Sequence, residues 1–74
     1  MNGDRRRRLA RVKRMLVEAL ERIESCKIEE ESSYDQIPGP AARESEQAGY
    51  ELCEAIEDLE NAIFALSSAM KVQR

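Results

Sequence analysis

The sequence predicts an all-α fold, an antiparallel αα-hairpin that dimerises into a four-helix bundle or joins a larger helical oligomer. Three observations carry this reading. Charged residues make up 36% of the 74-residue chain and aromatics only 4%, the profile of long solvated helices. The one strong interruption is YDQIPGPAARES at 34–45, where Pro38 and Pro40 flank Gly39 and each proline pushes its predecessor out of helical conformation. Beyond that interruption apolar residues recur every seven positions. A chain of this length forms a single domain with a thin core, and below about 80 residues extra burial comes from disulfides, a metal or association. With two cysteines, no histidine and no Cys-x-x-Cys pair, association is the expected source.

The first helix is expected over about 4–33, opening at Asp4 as its N-cap. Leu9, Leu16 and Ile23 hold heptad position a, while Val12, Ala19 and Cys26 follow three later at d. Met15 and Leu20 widen this face, and the pattern stops at Glu30 and Ser33. A turn over about 34–44 follows, with Asp35 suited to start it. Ser45, followed by Glu46 and Gln47, reads as the N-cap of a second helix over about 45–72. At about 1.5 Å per residue each helix is roughly 40 Å long, which a short connection folds into a hairpin.

The second helix has the stricter pattern. Gly49, Ile56, Ile63 and Met70 occupy a, Leu52, Leu59 and Leu66 occupy d, and Ala48, Ala55, Ala62 and Ala69 all fall at g. Three apolar positions per heptad exceed what one partner helix covers. Leaving the remainder wet costs about 25 cal/mol per Å², so Ala48, Leu52, Ala55, Ile56, Leu59, Ala62, Ile63 and Leu66 are the expected oligomer interface. Centring the turn near Gly39 puts Cys26 and Cys53 at one level, read as two small buried thiols. A disulfide there requires Cα atoms within about 7 Å. Tyr34 and Tyr50 read as core caps with wet hydroxyls.

Charge is unevenly placed. Residues 1–16 hold seven basic side chains and one acidic, and the fold adds Lys71 and Arg74 to the same end, for about +8; the rest carries about −11. Arg5 to Arg8 oppose the dipole of their own first turn, at roughly 0.3–1 kcal/mol per exposed charge, so compensation is expected from outside that helix. Two arrangements supply it. In an antiparallel dimer the basic end of one hairpin lies beside the acidic end of the other, pairing Arg8, Arg11 and Arg22 with Glu51, Glu54 and Asp58. Alternatively Arg5, Arg6, Arg7, Arg8, Arg11 and Arg14 form a phosphate site, since guanidinium groups grip phosphate bidentately. The −11 elsewhere disfavours duplex nucleic acid, and no aromatic interleaves the arginines for base stacking.

No nucleophile is paired with a base, no glycine-rich phosphate loop is present, and no carboxylate pair stands out, so a non-enzymatic protein is expected, without cofactor or metal. No apolar run approaches the roughly 20 residues of a membrane span. The N-terminal stretch lacks the apolar core of a secretory signal, which points to a cytoplasmic protein with reduced thiols.

SSYDQIP, followed by SEQAGYELCEAIEDLENAIFALSSAM, resembles a group of uncharacterised small acidic helical-hairpin proteins of phages and gut-type bacteria. The residues carrying the likeness are Tyr34, Asp35, Pro38, Ser45, Glu46, Ala55, Ile56, Leu59 and Ala62, while GPAAR at 39–43 departs from it. The resemblance implies a mobile-element setting in the host cytoplasm. There a rigid helical oligomer acts by occupation, sequestering a phosphate-bearing nucleotide as a counter-defence or blocking a host protein as an inhibitor or adaptor.

Overall fold

A computed structural model describes residues 1–33 and 39–72, and these form two helices of equal length, α1 (Gly3–Ser33) and α2 (Pro40–Met70). The predicted turn residues Tyr34, Asp35 and Pro38, and the C-terminal Arg74, lie outside the described residues. The helices pack against each other along their length and run antiparallel, because Arg6 reaches the backbone of Met70 and Val72 while Ser45 meets Glu30. The result is a hairpin of 56 × 15 × 11 Å with a radius of gyration of 17.0 Å. A compact chain of this length has a radius of gyration near 11 Å.

Each helix end has an identifiable cause. Asn2, not Asp4, caps α1: its side-chain oxygen accepts from the Arg5 amide at 2.8 Å, and its carbonyl accepts from the Arg6 amide at 3.1 Å. Asp4 then falls in the first turn, where its charge suits the helix dipole and its carboxylate pairs with Arg8 at 2.9 Å. At the far end the Ser33 hydroxyl donates to the Glu29 and Glu30 carbonyls at 3.2 and 3.1 Å.

α2 starts five residues before the expected Ser45. Gly39 precedes it with φ 51° and ψ −123°, a conformation open in practice only to glycine, and Pro40 takes the first helical position, where its missing N–H costs nothing. Ser45 therefore sits in the second turn, facing α1. It is the one buried side chain among the described residues, 6% exposed, and its hydroxyl donates to a Glu30 carboxylate oxygen at 2.6 Å.

The line facing α1 on α2 is the one its heptads predict: Ser45, Gly49, Leu52, Ile56, Leu59, Ile63, Leu66 and Met70. On α1 the line is shifted. Leu9, Leu16 and Ile23 are half-buried as expected, but their companions are Lys13, Leu20 and Lys27, four residues on rather than three. Val12 and Cys26 are exposed and Ala19 lies on the flank, so Cys26 is not the buried thiol that the heptad reading expects. The reason is packing: Leu20 fills more of the seam than Ala19, and Lys13 and Lys27, both half-buried, have apolar stems that can cover a seam while their charges stay in water. No hydrophobic side chain is fully buried among the described residues. The chain exposes 5929 Å², against about 4,650 Å² for a compact protein of its mass.

Candidate functional site

At the basic end the hairpin places the start of α1 against the finish of α2. The last carbonyls of a helix carry partial negative charge and no intrahelical donor. Lys71 closes part of that end, its amide donating to Ser68 at 3.2 Å, and Val72 donates to Ala69 at 3.2 Å. Arg6 supplies the rest: Nε donates to the Met70 carbonyl at 3.0 Å and Nη2 to the Val72 carbonyl at 2.8 Å. A guanidinium that opposes the dipole of its own helix thus serves the dipole of its neighbour. For Arg6 the compensation thus comes from within the hairpin, and not from a second hairpin or an anion as the sequence reading expects.

The other five candidate arginines divide. Arg8 is engaged by Asp4. Arg5, Arg7, Arg11 and Arg14 make no ion pair or hydrogen bond through their side chains among the described residues. At 100° per residue Arg7, Arg11 and Arg14 fall on one stripe, opposite the seam and open to solvent. Arg5 and Arg8 point to a flank, where with Met1 and Leu9 they line a shallow hollow of about 290 Å³. The six predicted residues are therefore at one end of the rod but not on one surface: a cap, a stripe of three, and a flanking pair.

The opposite end bears a second concavity, which the sequence did not single out. It is a groove of about 320 Å³ between the end of α1 and the start of α2, lined by Glu30, Glu31, Ser45, Glu46, Gly49, Tyr50 and Cys53. Gly49 opens it, since a Cβ there meets nothing within 4 Å. The Tyr50 hydroxyl donates to Glu46 at 3.0 Å, one turn back on α2. Lys27 closes the α1 side through a 2.9 Å ion pair with Glu31. Its ammonium pKa is raised above the usual lysine value, first by the hydrogen bond to Glu31 and then by the electrostatic influence of Cys53 and of the Glu31 carboxylate. The signal for this groove was the small residue at an a position, Gly49, facing a seam that has turned polar at Glu30.

Both cysteines are free, Cys26 exposed and Cys53 half-buried. Among the described residues no three metal-ligating side chains converge, and no helix is long and apolar enough to cross a membrane. Of the eight residues expected at an oligomer interface, Leu52, Ile56, Leu59, Ile63 and Leu66 face α1, Ala48 is half-buried beside them, and Ala55 and Ala62 are exposed. Compared with known protein families, curated proteins and solved structures, the chain matches none.

Proposed function

We propose that the chain is a non-enzymatic, self-associating binding protein that takes a phosphate-bearing anion at its arginine-rich end. In the phage setting suggested by the resemblance, the anion is a nucleotide and the role is counter-defence by sequestration. The observation that carries the binding reading is the set of Arg5, Arg7, Arg11 and Arg14, held at one end of a rigid rod and lacking a carboxylate partner among the described residues. Unpaired guanidinium groups are the preferred grip for phosphate. Self-association is supported by the lack of any fully buried hydrophobic side chain among the described residues and by the large exposed surface.

Thermal melting against inorganic phosphate and a panel of nucleotides tests the binding half. A ligand at about 100 times its Kd adds about 2.7 kcal/mol, and the Arg5, Arg7, Arg11, Arg14→Gln quadruple variant loses that shift while still folding. A panel that moves no melting curve removes the anion from the reading. Light scattering tests the other half, with a mass of at least twice 8.5 kDa expected.

A second reading, an inhibitor or adaptor that binds a host protein, is favoured by one observation. Phe64 is 74% exposed on α2, on the same side as Tyr50 at 60%, and exposed aromatics anchor protein interfaces.

A further inference from the structure

The seam between α1 and α2 leaves the hairpin two broad faces. One is marked by Lys27 beside Cys53 and by the groove that Glu31, Glu46 and Tyr50 line; Phe64 lies on this side as well. Helical geometry sends Val12, Met15, Ala19 and Cys26 to the opposite side of α1, and Ala48, Ala55, Ala62 and Ala69 to that same side of α2. We infer that a second copy of this chain docks on this alanine-edged face, turn end against basic end. The inference rests on the self-association proposed above and adds to it the surface and the direction.

Four observations select this occupant. Alanine every seven residues lets a second helix approach to about 8 Å, the close limit of helix packing, whereas the bulk of Tyr50 and Phe64 prevents so close an approach of a second copy on the other face. The alanine row is also its own complement. When two α2 helices cross antiparallel about a midpoint between Asp58 and Leu59, Ala55 meets Ala62 of the other copy and Ala48 meets Ala69. Contacts within the hairpin, Arg6 to Met70 and Glu30 to Ser45, place that midpoint level with residue 17 of α1. The same two-fold axis then sets Met15 against Ala19 of the other copy.

Charge chooses the direction. Each hairpin carries about +8 at one end and −11 over the remainder, so the opposed arrangement sets unlike ends together, while the parallel one stacks two basic ends. Asp58 approaches its own counterpart near the axis, the one local cost of this register. The footprint is sufficient: a face of 56 × 15 Å offers roughly 800 Å² per copy, the size of a standard stable interface.

The test uses full-length chains with both cysteines replaced by serine. One chain carries Ala55→Cys and a second, distinguishable by mass, carries Ala62→Cys; both positions are exposed in the hairpin and tolerate the change. Mixed and mildly oxidised, they are expected to give mainly the 55–62 cross-link, because like positions lie about seven residues, or about 10 Å, apart along the axis. A dimer by light scattering without that cross-link overturns the face or the direction while self-association stands. A single-chain mass at micromolar concentration overturns both. Should the cysteine chains lose helical circular dichroism, Ala62→Glu decides: it is expected to lower the dimer fraction at least tenfold, and an unchanged fraction sinks the inference.

Discussion

Replacing Arg6 with alanine separates two roles that the sequence leaves mixed, holding the fold and holding a ligand. The side chain makes two hydrogen bonds to backbone carbonyls, of Met70 at the end of α2 at 3.0 Å and of Val72 just beyond it at 2.8 Å, one half-buried and one exposed. A hydrogen bond from a charged group contributes about 1.5–3 kcal/mol when shielded and less in water. The charge beside a helix C-terminus adds about 0.3–1 kcal/mol. Taken together, with the exposed bond discounted, Arg6→Ala costs about 2 kcal/mol. For 74 residues this lowers the melting temperature by roughly 10 °C, read by circular dichroism at one fixed protein concentration. Arg6→Lys keeps the charge but loses the planar fork and recovers about half of the loss. Arg7→Ala, on the solvent stripe next door, stays within about 0.5 kcal/mol of wild type. The ligand assay inverts this order: Arg7→Ala weakens the phosphate-induced shift, while Arg6→Ala keeps it. If the Arg6 and Arg7 variants melt at the same temperature, the capping argument is wrong, and Arg6 rejoins the candidate phosphate ligands.

Three further outcomes follow from the groove end. Ser45→Ala removes the 2.6 Å donation to Glu30 and leaves a half-buried carboxylate short of a donor, so the denaturant midpoint falls by the equivalent of about 1–2 kcal/mol. Gly49→Ala adds a Cβ into open space and relieves the glycine's helix cost, raising stability by about 0.5–1 kcal/mol; a lower melting temperature would mean that another molecule needs that space. Lys27 holds its proton more tightly in the folded state, so its contribution is full below about pH 10.5 and fades as pH rises through the higher folded value. The melting-temperature gap between wild type and Lys27→Gln is therefore expected at about pH 8 and to shrink as pH is raised past the usual lysine value of 10.5.

The fold class, the hairpin and the seam of α2 were legible because a strict heptad on a helix has one solution. The helix starts were less so. Asp4 and Asn2 are both good N-caps, and only the side-chain bond from Asn2 to the Arg5 amide decides between them. Ser45 carries the signature of a cap, yet Pro40 is itself suited to a first helical position and Gly39 to the strained residue before it, so the helix begins there and Ser45 is drawn into the seam. Arg6 was grouped with its neighbours because a run of four arginines looks uniform. Only the arrival of α2's last carbonyls distinguishes it, and that is a contact across 64 positions.

The one-residue slip in α1 has the widest consequence. Leu9, Leu16 and Ile23 form a heptad line that accepts a companion either three or four residues later, and apolar content alone favours Val12, Ala19 and Cys26 over Lys13, Leu20 and Lys27. The hairpin takes the second set because lysine stems can cover a seam while their charges leave it. Arg6 and Lys27 also reach partners on α2 from that line alone. The displaced apolar set is then free of intrachain duty. It lies on the flank beside the α2 alanines, which changes what the heptad means: a pattern that reads as one helix pairing with its neighbour divides into a seam within the chain and a face outside it. The division has a measurable signature. Leu20→Ala weakens the hairpin itself and lowers stability by about 2–3 kcal/mol, whereas Met15→Ala, 61% exposed in the single chain, leaves helicity intact and acts on the assembled mass. Equal losses of helicity from both variants, with no separate effect on mass, would return Met15 to the intrachain core and leave the alanine face without its α1 half.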